Sequence, residues 1–417
     1  MGINAAEARY TGKAARQHGA MEYSEPPCDL DEVRRYRLER IRGELKKRDL
    51  GAVLLFDQVN TRYATDATNM QIWCSHYETR CAFIPAEGLA VLLDYSNHPH
   101  LAEDLPGVGE YRVMPVFYYF AAGSNTQEQA KKFGGEIAEL MKQHGGGSRR
   151  LAIDRLSHMG TDAIRSHGYE LFDGLEVMEH AREIKSAGEL ILMKKSMDTC
   201  EAGLAAMRAV LEPGITENAL LAKLHETNVA QGGEWIETRL LSAGPRTNPW
   251  FREASMRPIE RGDMISFDTD LVGPYGYCSD ISRSWLCGDG KPNDEQRRLY
   301  AKAVEQIMFN TSLLKAGVGF REVSEKAWPI ADEFLSNRYS CAMHGVGLAD
   351  EYPIIKHGVD YANAGYDGVF KEGMTICVES FIGSEGGREG VKLEEQVLIT
   401  RDGVEPISSY PLELDWL

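Results

Sequence analysis

Two stretches of this chain carry acidic side chains in the middle of strands that are otherwise apolar. In MISFDTDLVGPYGYCSDISRSW, Asp268 and Asp270 stand two apart, on one face of a strand. Gly273-Pro274-Tyr275-Gly276 turns the chain, and the return strand sets Asp280 roughly opposite them. TICVESF and GVKLEEQV repeat the arrangement across the GSEGGREG turn, so that Glu394 comes back nearly opposite Glu379. Carboxylates in apolar strands are costly unless they are paired or hold a cation. Half-exposed strands with solvent-facing acids would explain one such hairpin, but not two with the His344-Gly-Val-Gly segment between them. Five carboxylates and one imidazole make a hard, oxygen-rich donor set, suited to a pair of divalent ions such as iron, manganese or zinc. Glu395, next to Glu394, should face the other way.

The net charge of −17 argues against nucleic acid and against anionic membrane surfaces, where clustered Lys and Arg are needed. No stretch approaches the roughly 18 consecutive apolar residues of a bilayer span. The N-terminal MGINAAEARYTGKAARQHGAMEY lacks the apolar region of a secretory signal, and Ala6 stands where myristoylation after Gly2 wants Ser or Thr. The eight cysteines are scattered without a C-x-x-C, several in apolar runs, which predicts buried free thiols and a cytoplasmic protein.

At 417 residues the chain has room for two domains. The first half reads as α/β: a helix over 29–50 with Asp29 or Asp31 as its cap, strands at AVLLF, at CAFIPAEGLAVLLDY with its turn at Glu87-Gly88, and at LAIDR, and a helix over 127–143. Helical spacing over 185–211 opens the second half, and a further helix covers 216–231. Beyond it, strand-like pieces alternate with helices over 293–314 and 320–337, which predicts an antiparallel sheet with helices packed on it. GSEGGREG runs from strand to strand and so is a turn rather than a phosphate loop, and GDGKPN lacks the Walker spacing. FYYFAAGSN suits a domain-interface patch better than a substrate loop.

The order Asp, Asp, His, Glu, Glu on two hairpins resembles the creatinase/methionine-aminopeptidase superfamily, with its pita-bread fold. RLERIRGELKKRDLGAVLLFDQVNTRYATD is similar to the creatinase-type N-terminal domain. The resemblance implies an α+β protein: a creatinase-like α/β domain over 1–185 and a pita-bread catalytic domain over 186–417. It also implies Asp268, Asp280, His344, Glu379 and Glu394 as metal ligands, with Asp270 as an extra carboxylate of open role, and a homodimer.

Peptidases of this superfamily use two further histidines to bind substrate and move protons. Seven residues after His344 this chain has Glu351, preceded by Asp350. The other position falls in NPWF, at Trp250 and Phe251. His357 has the wrong spacing to substitute and reads as a surface or outer-sphere histidine. With the ligand set kept and these histidines gone, the segments FDTDLVGPYGYCSDISRSW and MHGVGLADEYP resemble the DddP-type family of dimethylsulfoniopropionate lyases. That resemblance implies a small zwitterionic substrate, iron at the metal site (zinc and manganese remaining open), and elimination of dimethyl sulfide with acrylate left behind. Breaking the bond requires a base for the proton next to the carboxylate, for which Asp350 is the first candidate and Glu351 the second. A sulfonium rests well on aromatic faces; Tyr339, Trp73 and Trp250 are the candidates. The alternative is an Xaa-Pro dipeptidase or aminopeptidase, and a non-catalytic module is disfavoured by the intact ligand set.

Overall fold

The protein is described here by a computed structural model over residues 26–417, so the expectations of no secretory signal and no myristoylation at Gly2 lie outside the described residues. Asp29 caps helix α1 (Leu30–Lys47), accepting hydrogen bonds from the backbone N–H of Asp31 and Glu32 and so satisfying donors that a helix start leaves without partners. The first half is built on a six-stranded sheet: β1 (Ala52–Leu55), β2 (Cys81–Pro85), β3 (Ala90–Asp94), β4 (Val108–Val113), β5 (Arg150–Ile153) and β6 (Glu170–Asp173), in the order β4-β3-β2-β1-β5-β6. The central strands β1 to β3 pair antiparallel, while β4, β5 and β6 join parallel. α1 and α2 (Gln58–Thr65) cover one face, α3 (Thr126–His144) covers the other, and α4 (Gly174–Arg182) returns to the first. Burial on both faces explains why the central strands β1, β2 and β3 read as continuous apolar runs.

α5 (Ala187–Val210) opens the second half with a capping box made by Ser186 and Glu189, and Thr216 caps α6 (Glu217–Ala230). The strands that follow pair antiparallel throughout. They are β7 (Trp235–Ile236), β8 (Leu241–Ala243), β9 (Met264–Phe267), β10 (Leu271–Val272), β11 (Cys278–Ser279), β12 (Arg283–Leu286), β13 (Met343–Val346), β14 (Asp350–Ile355), β15 (Thr375–Ile382), β16 (Val391–Ile399) and β17 (Val404–Pro406). They form three sheets, β11-β10-β7, β12-β9-β8 and β14-β13-β15-β16-β17. α7 (Asp294–Ser312) lays Leu299, Ala303 and Ile307 on the last of these.

Two expectations need correction. The helix predicted over 320–337 is only α8 (Phe320–Lys326) and a separate turn of helix at Asp332–Leu335. Pro329 breaks it, because proline lacks the N–H and disfavours helical backbone in the residue before it. The first acidic hairpin is also not continuous: β9 stops at Phe267 and β10 resumes at Leu271, leaving Asp268, Thr269 and Asp270 between them. The two halves share packing. Val33, Leu38 and Val53 belong to the same apolar cluster as Tyr277, Cys278, Val346 and Cys377. All eight cysteines are free, and all but Cys28 are buried. No helix among the described residues is long and apolar enough to cross a membrane.

Candidate metal centre

Glu379 on β15 and Glu394 on β16 are directly paired in the ladder, and His344 on β13 pairs with Cys377 of β15. This register places the imidazole beside both glutamates. His344 Nδ1 lies 3.0 Å from the carbonyl oxygen of Gly345; in the neutral tautomer that donates this bond, Nε2 carries the lone pair a metal ion would need. Nε2 faces three carboxylate oxygens: Asp280 Oδ2 at 3.6 Å, Glu379 Oε1 at 3.4 Å and Glu394 Oε1 at 3.5 Å. Donors held about 2.1 Å from one ion in tetrahedral array lie roughly 3.4 Å apart, so these separations fit groups gathered round a shared cation. Glu394 Oε1 is buried with no hydrogen-bond partner, which suits an atom that would ligate a cation.

A second group lies alongside. Donor atoms of Asp268, Asp270 and Asp280, and those of Asp268, Glu379 and Glu394, fall within 4.8 Å of one another. Asp270 adopts φ +36°, in the left-handed region that favours glycine, and Thr238 Oγ1 donates to its Oδ2 at 2.6 Å. Such strain persists where surrounding contacts fix a side chain for a task. The gap between β9 and β10 therefore turns the carboxylates inward. Cys377 joins Asp280, His344 and Glu394 in the first group, which the sequence reading did not anticipate.

Lys392 is the larger omission. Its Nζ is fully buried and reaches Glu379 Oε2 at 2.6 Å, Asp268 Oδ2 at 3.1 Å and Glu394 Oε2 at 3.2 Å, while donating to Ser282 Oγ at 2.6 Å. It stands two residues from Glu394 on the same strand face, which was a legible signal. Five carboxylates against one lysine leave four negative charges, the number that two divalent ions balance. Burial drives Asp268 and Asp280 well up from the ordinary carboxylate range, raises Glu379 and takes Asp270 to about 7, with neighbouring carboxylates adding to the push. Burial acts the same way on Glu394, but Lys392 and His344 hold it below the usual range. A dry cluster this acidic is chemically suited to cations.

Asp350 and Glu351 point to opposite faces of β14. Asp350 is at the rim, 55% exposed, with Oδ1 3.6 Å from His344 Nδ1. Glu351 is turned into the protein, ion-paired to Lys185 and 3.4 Å from Arg182 Nε. Alternation thus separates the two base candidates, and the salt bridges turn Glu351 away from the carboxylate cluster. The glycines of His-Gly-Val-Gly allow close approach: a Cβ on Gly345 would meet the Tyr352 carbonyl oxygen at 2.4 Å, and one on Gly347 would meet Glu351 Oε2 at 2.6 Å.

Two of the three aromatic candidates reach this site. Lys392 Nζ lies 5.0 Å from the ring centre of Tyr339 and 5.6 Å from that of Trp250, and Phe251 stacks on Tyr339 at 5.3 Å. Trp73 sits in the first half, against Tyr77 at 4.9 Å and Phe120 at 6.1 Å. The structure does not bring it to the carboxylates of its own chain. Of FYYFAAGSN, Phe117 is core, while Tyr119 and Phe120 are exposed. His357, expected at the surface or in an outer sphere, is buried beside Arg338 and Asp360, and neither ring nitrogen has a hydrogen-bond partner. Glu395 turns away from the cluster, as expected, and pairs with Arg283 at 2.8 Å.

A creatinase-like α/β half followed by antiparallel sheets defines the pita-bread class, and its five carboxylates and histidine form a set that could hold metal. The family Metallopeptidase family M24 matches residues 191–401, and Creatinase/Prolidase N-terminal domain matches 37–184. The chain belongs to family M24 and, within it, to the DddP group. It is 42% identical over 390 residues to "Dimethylsulfoniopropionate lyase DddP" of Roseovarius nubinhibens, covering 92% of this chain and 87% of that protein. It is 44% identical over 391 residues to the protein of the same name from Roseobacter denitrificans, again covering 92% and 87%. Among solved structures, the Xaa-Pro dipeptidase from Bacillus anthracis superimposes with a TM-score of 0.72 at 22% identity, over 90% of this chain and 98% of that one, a likeness of fold alone.

Proposed function

We propose that this chain cleaves dimethylsulfoniopropionate to dimethyl sulfide and acrylate, acting as a carbon–sulfur lyase that depends on divalent metal. The observation that carries this reading is the similarity to the two DddP lyases over nearly the whole chain. The division of the site agrees with it. Asp350 stands at the rim beside the buried donor set, and the two positions where a peptidase of this superfamily needs histidines hold Glu351 and the Trp250-Phe251 pair.

Asp268, Asp270, Asp280, His344, Glu379 and Glu394 would hold two divalent ions. Iron is named on the resemblance alone, since such a donor set also accepts zinc or manganese. When bound, they supply Lewis acidity that stabilises negative charge developing on the substrate carboxylate. Asp350 takes the proton from the carbon next to that carboxylate, and its exposure at the rim leaves it free to do so. The electron pair of the broken C–H bond becomes the double bond of acrylate, and the C–S pair leaves with sulfur as neutral dimethyl sulfide. Tyr339 and Trp250 offer ring faces to the sulfonium. Trp73 can take part only across a homodimer contact, which we propose along with a cytoplasmic location and domains of 1–185 and 186–417.

The Xaa-Pro dipeptidase reading loses its proton shuttle, because Glu351 stands at the histidine position and is locked in an ion pair. Incubating metal-loaded protein with dimethylsulfoniopropionate and following headspace dimethyl sulfide tests the proposal. No release, together with cleavage of Xaa-Pro dipeptides, would overturn it.

A further inference from the structure

Glu351 is a buried carboxylate that the chemistry above does not use, and its partners come from the junction between the two halves. Lys185 Nζ donates to its Oε1, and Arg182 Nε stands 3.4 Å from its Oε2. Both cations lie in or next to the short segment joining α4 to α5. That segment is itself held on several sides: Tyr36 Oη donates to the Ile184 carbonyl oxygen at 3.0 Å, Lys185 N–H donates to the Gly373 carbonyl oxygen at 2.9 Å, and Lys371 pairs with Glu183. Arg182 continues into the first half, donating to Asn60 Oδ1 at 2.9 Å, while Asn60 donates to Asp154 Oδ2 at 3.0 Å. One residue further along β14, the Tyr352 N–H donates to Glu179 Oε2 of α4 at 2.7 Å. Glu351 also packs where Gly347 has no side chain, so the turn between His344 and Asp350 closes over its carboxylate.

We infer that Glu351 is a positioning residue: clamped by Lys185 and Arg182, it fixes the start of β14 so that Asp350, on the opposite face, is aimed at the reacting carbon. The first half of the chain thereby orients the base of the second. This inference rests on the lyase reading for its kinetic consequence, but the clamp itself is measurable without substrate. A base displaced by about 1 Å loses on the order of 100-fold in rate, so small slack at Glu351 is amplified at Asp350.

The test uses the full-length, metal-loaded protein in four forms: Lys185→Met, which opens the pair; Lys185→Met with Glu351→Leu, which replaces it by apolar groups that fold without an unpaired charge; Gly347→Ala, which pushes Glu351 aside; and Lys185→Arg, which keeps the charge. Three quantities are followed: metal content, hydrogen–deuterium exchange over residues 347–356, and kcat and KM for dimethyl sulfide release. The expected result for the first three is unchanged metal content and exchange over 347–356 about tenfold faster. Their kcat falls by about 10- to 100-fold while KM moves less than about threefold, and Lys185→Arg restores most of the rate. Unchanged exchange over 347–356 in the apolar double variant and in Gly347→Ala would overturn the clamp, as would faster exchange with kcat intact. Absence of dimethyl sulfide from the wild type would defeat the lyase reading separately, leaving the exchange result to decide whether Glu351 holds the segment.

Discussion

Glu379 and Glu394 are cross-strand partners whose Oε1 atoms both face His344 Nε2, at 3.4 Å and 3.5 Å. Two carboxylates this close in a buried setting repel each other unless a cation lies between them. Substituting Glu394→Gln keeps the shape and removes a charge from both donor groups. Bound metal measured by elemental analysis should fall from two ions per chain to one or none, with affinity weakened by at least about 100-fold, since even outer-sphere changes cost 10- to 100-fold. Chelation of the wild type should abolish activity, and returning a divalent ion should restore it. Two tightly held ions in Glu394→Gln would show that these oxygens are not ligands.

Asp350 and Glu351 should behave differently despite being neighbours. Loss of a general base costs about 100- to 10,000-fold, so Asp350→Asn should lower kcat by that range while leaving metal content and thermal stability close to wild type, as its side chain is half exposed. Glu351→Gln leaves Lys185 buried without its counter-charge and should lower the melting temperature as well. Headspace dimethyl sulfide with parallel melting curves separates the two patterns. Full activity in Asp350→Asn would require another base.

Tyr339 tests the sulfonium pocket. Its ring, not its hydroxyl, is the feature the proposal uses, so Tyr339→Phe should leave KM within about threefold of wild type. Tyr339→Ala removes a cation–π contact worth about 1–2 kcal/mol and should raise KM by roughly 5- to 30-fold. Equal effects of the two substitutions would assign the role to the hydroxyl instead.

Much of this geometry was legible because the strand period is two. Glu379 and Glu394 sit at the same distance from their turn, so one count across GSEGGREG pairs them, and Glu395 falls automatically on the far face toward Arg283. The same count places Lys392, two before Glu394, on the face of the carboxylates. The Asp350/Glu351 choice was not decidable by counting, because it depends on where a three-residue turn leaves the strand phase and on partners, Lys185 and Arg182, more than 160 residues away. The gap at Asp268–Asp270 was likewise hidden: side-chain bonds such as Thr238 to Asp270 and the Ile281 N–H to Thr269 Oγ1 replace ladder hydrogen bonds there, and no local propensity records them.

Lys392 leads to a prediction about the metal-free protein. It is the cation that the cluster keeps when ions are removed, contacting Asp268, Glu379 and Glu394. Breaking a buried charge cluster by deleting one partner costs about 3–5 kcal/mol. Lys392→Met should therefore depress the melting temperature strongly after chelation and much less with divalent ions bound. The gap between metal-free and metal-loaded melts should exceed that of the wild type. An unchanged gap would mean that Lys392 does not neutralise the donor set.

His357 gives a pH dependence whose sign can be worked out. Burial pulls its imidazole down to about 4, against the opposing pull of Asp360, while an unfolded histidine titrates near 6.5. Between these values the unfolded chain binds more protons than the folded one, so stability falls as pH drops from about 6.5 toward 4 and is fully present above that window. The contribution amounts to roughly 3 kcal/mol over the whole window and about 2 kcal/mol by pH 5, at 1.36 kcal/mol per pH unit. Other groups titrate in the same range, so the quantity to measure is the difference between wild type and His357→Leu. Urea denaturation at pH 7 and pH 5 should show the wild type losing about 2 kcal/mol more than the variant. Equal losses would mean that His357 accepts its proton in the folded protein.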